Sequence, residues 1–276
     1  MILSVRATVL TALMLAVLSA CSSNKSEQEQ LTERQFYHAA QEAMESNKFT
    51  IAIERLQQLE SRYPFGKYAE QAQLELIYSY YRTLDYDSAA ATAQRFIKLH
   101  PDHGSLDYAY YMKGLSSYSV DRGLLERFIP TDFSERDMGP ARESFDDFNR
   151  LINRFPNSQY AADARQRMIY LRNLMAAYEV KAANFYMQRG AFVAAANRTT
   201  YVLKNFDGTP ATPEALVIQV KAYQELGMVD LANATETVLV KNFPEHPEIK
   251  KGRLDYVPGR IRRGSLLSAV TFGLFD

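Results

Sequence analysis

The sequence predicts an all-α fold, an α-solenoid of five helix pairs, and three observations carry that prediction. Aromatic–proline pairs recur at Tyr63-Pro64, Phe155-Pro156 and Phe243-Pro244, with His100-Pro101 and Phe206-Asp207 as degenerate members. Positions counted back from these anchors agree in kind. Five before stand the apolar Leu59, Phe96, Leu151, Val202 and Leu239, and twelve before stand the small Ala52, Ala89, Ser144, Ala195 and Ala232. Seventeen before stand Asn47, Leu84, Gly139, Gly190 and Gly227, mostly residues that tolerate the left-handed backbone ending a helix. Each repeat thus reads helix, turn, helix. The small residue lets the second helix approach the first, and the proline stops it.

In chain order, Arg6 and the apolar run 7–18 form the charged and hydrophobic regions of a signal peptide over 1–20, too short to span a membrane. The run closes on Leu18-Ser19-Ala20-Cys21, which resembles the bacterial lipobox. That resemblance implies an S-diacylglycerol and an N-acyl chain on Cys21, enough lipid for stable anchoring. Ser22, where an Asp would favour inner-membrane retention, implies an outer-membrane anchor facing the periplasm. An ordinary signal peptide with a chance cysteine is the alternative. Cys21 is the one cysteine among 276 residues, so no disulfide forms within the chain. Residues 21–32 read as the lipidated end and a flexible tether, polar and without aliphatic residues over 22–30.

The repeats are expected at 33–66, 70–102, 107–156, 159–207 and 213–245, within a solenoid over 33–247. Their spacing resembles the tetratricopeptide repeat, with Tyr80, Tyr186 and Tyr223 at that family's first-helix tyrosine and Ala43 as the exception. Repeat three is interrupted between its helices by an acidic insert at 121–138. Repeat four is long because no Gly or Pro occurs over 157–189, which predicts one helix of roughly 45 Å capped by Ser158. Thr212-Pro213 reads as the N-cap and first helical residue of repeat five. Beyond 247 the tail, 248–276, is basic and then apolar. Over 250–263, Lys250, Lys251, Arg253, Arg260, Arg262 and Arg263 are set against Asp255 alone. Disorder, docking on a partner and contact with anionic headgroups are all open readings for it.

Catalytic patterns are missing. There is no Gly-x-Ser-x-Gly, no His-Glu-x-x-His and no Gly-x-Gly, and no residue stands out as a catalytic group. His100 and His103 flank a turn without a third ligand, so no metal or other cofactor is expected. Glu54, Glu75 and Glu143 are read as solvated helix-face carboxylates. Removing 1–20 takes Arg6 alone from 32 basic side chains set against 32 acidic ones, a balance that points to no nucleic-acid partner. Binding is what stacked helix pairs offer. By tetratricopeptide register, the inner groove takes Tyr37, Gln41 and Met44 from repeat one, and Leu74, Tyr78, Tyr81 and Arg82 from repeat two. Repeat three adds Tyr111, Leu115 and Tyr118, and repeat five adds Val217, Lys221, Gln224 and Glu225. Tyrosine gives broad apolar contact with a hydroxyl, which suits an extended peptide, while core packing is the competing role for each one.

Several runs resemble the BamD family of outer-membrane assembly lipoproteins. They are Asn47-Lys48-Phe49, Arg62-Tyr63-Pro64-Phe65-Gly66-Lys67-Tyr68, Leu76-Ile77-Tyr78-Ser79-Tyr80-Tyr81, Phe155-Pro156-Asn157-Ser158-Gln159-Tyr160 and Ala196-Asn197-Arg198, with Arg136-Asp137 in the insert. The resemblance implies a non-enzymatic part of the β-barrel assembly machinery. It implies docking of a BamA POTRA domain on the C-terminal repeats, with Arg198 at a contacting position. It also implies BamC along the N-terminal half, and a groove that receives the C-terminal signal of unfolded outer-membrane proteins. A pilotin-type lipoprotein that escorts a secretin, and a solenoidal cell-wall hydrolase with a catalytic Glu, are the alternatives.

Overall fold

The computed structural model describes residues 31–120, 137–252 and 254. The signal peptide, Cys21, nearly all of the tether and insert, and the tail past Leu254 lie outside the described residues. Among those described, the secondary structure is helical, with no strand: α1 (Glu33–Glu45), α2 (Phe49–Arg62), α3 (Ala69–Arg82), α4 (Tyr86–Leu99), α5 (Leu106–Ser119), α6 (Gly139–Arg154), α7 (Ala161–Gln188), α8 (Phe192–Asn205), α9 (Thr212–Glu225), α10 (Val229–Asn242) and α11 (Pro247–Lys250). The chain divides into two compact units, Met1–Met112 and Lys113–Asp276, and the division falls within α5.

The repeat register explains the packing. The small residues Ala52, Ala89, Ser144 and Ala195 are all 0% exposed, and so are the apolar Leu59, Phe96, Leu151, Val202 and Leu239. A methyl or hydroxymethyl at the first set is what allows the second helix of a pair to lie close on the first. The residue before each anchor proline or aspartate caps the helix. Tyr63, His100, Phe155, Phe206 and Phe243 return their backbone N–H to the carbonyls of those same Leu59, Phe96, Leu151, Val202 and Leu239.

The turn position departs from expectation at two residues. Asn47, Gly190 and Gly227 are left-handed, with φ of 56°, 72° and 69°. Leu84 is too, at φ 64°, although a Cβ disfavours that conformation. Gly139 is not: it opens α6 with Pro140 beside it, because the insert replaces the tight turn in that repeat.

The N-terminal unit starts with a capping box. The Thr32 hydroxyl accepts from the Gln35 N–H at 3.4 Å, and the Gln35 amide oxygen accepts from the Thr32 N–H at 2.8 Å. Phe36 and Ala40 of α1, Leu56 and Leu59 of α2, and Ala72 and Leu76 of α3 form its core.

In the C-terminal unit, Gly114 allows α5 and α6 to approach closely. A Cβ there would stand 2.9 Å from the Phe148 ring, and the Ser144 hydroxyl donates to the Gly114 carbonyl at 2.8 Å. Lys113 is buried beside them and donates to Asp147 at 2.7 Å and Glu143 at 3.0 Å. Burial alone would lower the Lys113 ammonium, but the two carboxylates outweigh it and hold its pKa above the ordinary lysine value.

Helix α7 runs 28 residues, about 42 Å. Ser158 is not its cap. Tyr160 holds the N-cap position and makes no side-chain capping bond, while the Ser158 hydroxyl accepts from the Tyr160 N–H, two residues on. Likewise Thr212 is the first residue of α9, not its cap. Its hydroxyl is drawn back to the Phe206 carbonyl and Thr209, leaving Ala211 at the N-cap. Helix α6 runs back along the first half of α7 and α8 along the second. Both therefore meet α7 near Arg172 and Met175.

Candidate functional site

Two polar clusters in the N-terminal unit hold four of the expected groove residues, Tyr37, Gln41, Tyr78 and Arg82. The first centres on Glu75. Its carboxylate accepts from the Tyr37 hydroxyl at 2.8 Å, the Gln41 amide at 2.7 Å and the Gln71 amide at 2.8 Å. The Tyr37 ring stacks on Tyr68 at 4.5 Å. Glu75 is 9% exposed, so the expectation of a solvated carboxylate fails. Its two oxygens are met by three donors, which is how a buried polar group is tolerated. Burial first, and the Glu75 bond second, raise the Tyr37 phenol well above the ordinary tyrosine value.

The second cluster lies one and two turns further along the same stripe of α3. Arg82 donates to the Tyr78 hydroxyl at 2.6 Å and to the Asn47 side chain at 3.4 Å. Its guanidinium stands 4.3 Å from the centre of the Phe49 ring and 5.5 Å from that of Tyr78. Glu75, Tyr78 and Arg82 thus form one line facing α1 and the α1–α2 turn. Tyr81 leaves that line and packs on Tyr86 at 5.3 Å. Tyr111 is half-buried on α5. Leu74 and Val217, placed in the groove by register, are core residues at 5% and 2% exposure, and Lys221 pairs with Glu248 at 2.8 Å.

In the C-terminal unit, Arg198 sits on α8 and donates to Glu179 of α7 at 2.7 Å. Arg142 of α6 donates to the other oxygen of the same carboxylate at 3.3 Å. Glu179 is 2% exposed, whereas Arg198 and Arg142 are 40% and 54% exposed. The hydrogen bond to Glu179 leads the causes that raise the Arg198 pKa. The sequence singled out Arg198 for a contact with a partner and did not reveal its carboxylate within the chain, Glu179. Nothing in the periodicity separates Glu179 from a solvated glutamate; only the doubled-back packing of α6 and α8 on α7 does.

His100 and His103 both face Glu70, at 3.2 Å and 3.6 Å. Among the described residues no group of His, Cys, Asp and Glu could hold a metal ion, and no helix is long and apolar enough to cross a membrane. Cys21 lies outside them.

Over residues 29–252 the sequence matches the YfiO family model, described as outer membrane lipoprotein. It is 41% identical over 230 residues to the outer membrane protein assembly factor BamD of Vibrio cholerae, covering 83% of this chain and 95% of that protein. The protein of the same name from Neisseria meningitidis serogroup A is 39% identical, at 83% and 88% coverage. That of Xylella fastidiosa strain Temecula1 is 34% identical, at 82% and 78%. Among solved structures, a tetratricopeptide protein of Thermus thermophilus aligns with 80% of this chain and 97% of its own at a TM-score of 0.35 and 13% identity, too low to bear on the fold. With the family model spanning most of the sequence and three such relatives aligned along it, the chain belongs to the YfiO family of outer membrane lipoproteins, the family of BamD.

Proposed function

We propose that this chain is a non-catalytic scaffold of the machinery that assembles β-barrel proteins into the outer membrane, held to that membrane from the periplasm by lipid on Cys21. The observation that carries this reading is its similarity, 39–41% identical residues over 83% of the chain, to proteins named outer membrane protein assembly factors. In this reading the C-terminal unit docks a BamA POTRA domain, with the exposed part of Arg198 as one contact, and BamC lies along the N-terminal half. The Tyr37, Gln41, Tyr78, Arg82 wall, with Tyr81 and Tyr111 as further groove residues expected by register, receives an extended segment of an unfolded outer-membrane protein. Aromatic faces and hydrogen-bonding side chains fixed by one another suit that task, since little side-chain entropy remains to be lost on binding.

The test is capture on the lipidated full-length chain. Recovery of BamA is the expected result, whereas recovery of a secretin, or cleavage of peptidoglycan, would support the pilotin or hydrolase alternatives. Arg198→Gln is the variant to compare. Arg198→Glu would set a second carboxylate against buried Glu179 and confuse lost docking with lost stability. Weaker BamA capture at unchanged helical signal is expected, and unaltered capture would remove Arg198 from the interface.

A further inference from the structure

Phe65 is the most exposed large apolar side chain among the described residues, at 101% against 62% for the next, Val229. It stands on the turn 63–68 that joins α2 to α3, and that turn is fixed from behind. The Gly66 N–H returns to the Tyr63 carbonyl at 3.0 Å, and Pro64 sets the backbone between them. The carboxylate of Glu33, the first residue of α1, accepts the Tyr68 N–H at 2.6 Å. It lies so close to Gly66 that a Cβ there would overlap it. The Tyr68 ring stacks on Tyr37 of α1 at 4.5 Å. The turn is thus held to α1, and its Phe65 ring is left in solvent.

The same turn lies where the chain enters α1. The Tyr63 hydroxyl donates to the Leu31 carbonyl at 3.2 Å, and Leu31 is ten residues after Cys21. Lipid on Cys21 would keep this corner of the N-terminal unit within about 35 Å of a bilayer even at full stretch. Two exposed cations flank the ring. The Arg62 guanidinium stands 5.3 Å from the centre of the Phe36 ring, and the Lys67 ammonium 5.7 Å from that of Tyr68. The carboxylates nearby in sequence are engaged: Glu33 on the turn's backbone, Glu60 with Arg95, and Glu70 with His100 and His103.

We propose that the 63–68 turn is a second membrane contact of the anchored chain, with the Phe65 ring in the interfacial layer of a phospholipid leaflet and Arg62 and Lys67 at its phosphates. This rests on the reading of Cys21 as lipidated. A protein-docking site gathers several apolar side chains around a packed centre, whereas here one ring and exposed Pro64 project alone. A bilayer asks for no more than such a projection with cations beside it. One aromatic ring does not hold a chain on a membrane by itself. On a short tether it meets the bilayer at a local concentration on the order of millimolar, so a weak contact is occupied.

The sequence has one cysteine and no Trp, so the point of attachment and the reporter are both unique. The experiment couples the processed chain, 21–276, through Cys21 to a maleimide phospholipid in vesicles of phosphatidylethanolamine and phosphatidylglycerol. Phe65→Trp supplies the one indole, and brominated acyl chains quench it if it enters the leaflet. The coupled Phe65→Trp chain should shift to the blue and be quenched, and adding Lys67→Gln should weaken both effects. The comparator is Ile51→Trp, 45% exposed, which lies about 17 Å from the last residue of α2 along that helix and should show neither effect. Both side chains reach solvent, so the variants keep the fold, and their helical signal verifies it. Emission of the coupled Phe65→Trp chain that ignores brominated lipid, or equal quenching of the two indoles, would overturn the proposal. Because the coupling supplies the anchor, this result does not depend on what the cell adds to Cys21. The mass of the chain extracted from cells reads that modification separately.

Discussion

Glu179 carries more of the C-terminal unit than its single charge suggests, because three helices meet at its carboxylate. Arg142 reaches it from α6 and Arg198 from α8, while the carboxylate itself is 2% exposed. Removing one partner of a fully buried pair costs about 3–5 kcal/mol, but both guanidinium groups here reach solvent and the cost is screened. Glu179→Gln should therefore lower stability by about 1–2 kcal/mol in urea unfolding, and either arginine alone changed to Gln should cost less, since the other remains. A cost for Arg198→Gln equal to that for Glu179→Gln would mean that Arg142 contributes nothing.

Tyr37 offers a second test at this scale, in pH. Its phenol is held above the ordinary tyrosine value by burial and by Glu75, so the folded chain keeps a proton that the unfolded chain gives up. The stabilisation is complete below the unfolded value of about 10 and is lost as pH rises past it. Tyr37→Phe should cost about 1 kcal/mol at neutral pH, for the lost hydrogen bond, and make the alkaline fall in stability shallower. Tyr86, shifted the same way by burial, keeps part of that fall in the variant.

Within the helix pairs, the turn that joins them decides what substitutions do. Leu84 is left-handed at φ 64° and 49% exposed, so its side chain returns little burial for the strain. Leu84→Gly should stabilise the chain by about 0.5–1 kcal/mol, and Gly227→Ala, at φ 69°, should cost about 1 kcal/mol, both read as shifts in melting temperature. Gly114→Ala tests helix packing instead. Its methyl would press on Phe148, itself 0% exposed, and should cost about 1–3 kcal/mol. The all-α pairing was legible because burial, small-residue approach and proline termination repeat at fixed spacing. Helix starts were less so. Ser158 and Thr212 have side chains that suit an N-cap, yet each bonds a nearer turn, and Gly139 opens a helix because an insert precedes it. These outcomes depend on where the incoming chain lies, which local propensity does not encode.

At the scale of the whole molecule, the candidate site was legible in type more than in detail. The aromatic stripe of α3 follows from helical periodicity, but its fixed geometry comes from Glu75, and Glu179 meets both Arg142 and Arg198 because α6 and α8 share one long helix. Neither can be read without tertiary contacts. The proposed anchor is the reverse case: it rests wholly on the resemblance of Leu18-Ser19-Ala20-Cys21 to a lipobox, and lies outside the described residues. The helix pairs bury their apolar faces against their own neighbours, so folding does not call on lipid. Cys21→Ser should then move the chain from the membrane to the soluble periplasmic fraction and leave the melting curve of the purified protein unchanged. Two other signals could hold the variant at the membrane: an uncleaved 1–20 segment, or the basic residues of the tail. Gel mobility separates the first, and deletion of 255–276 the second. Retention of a processed variant that also lacks 255–276 would show that neither the lipid nor the tail supplies the anchor, and that a protein partner does.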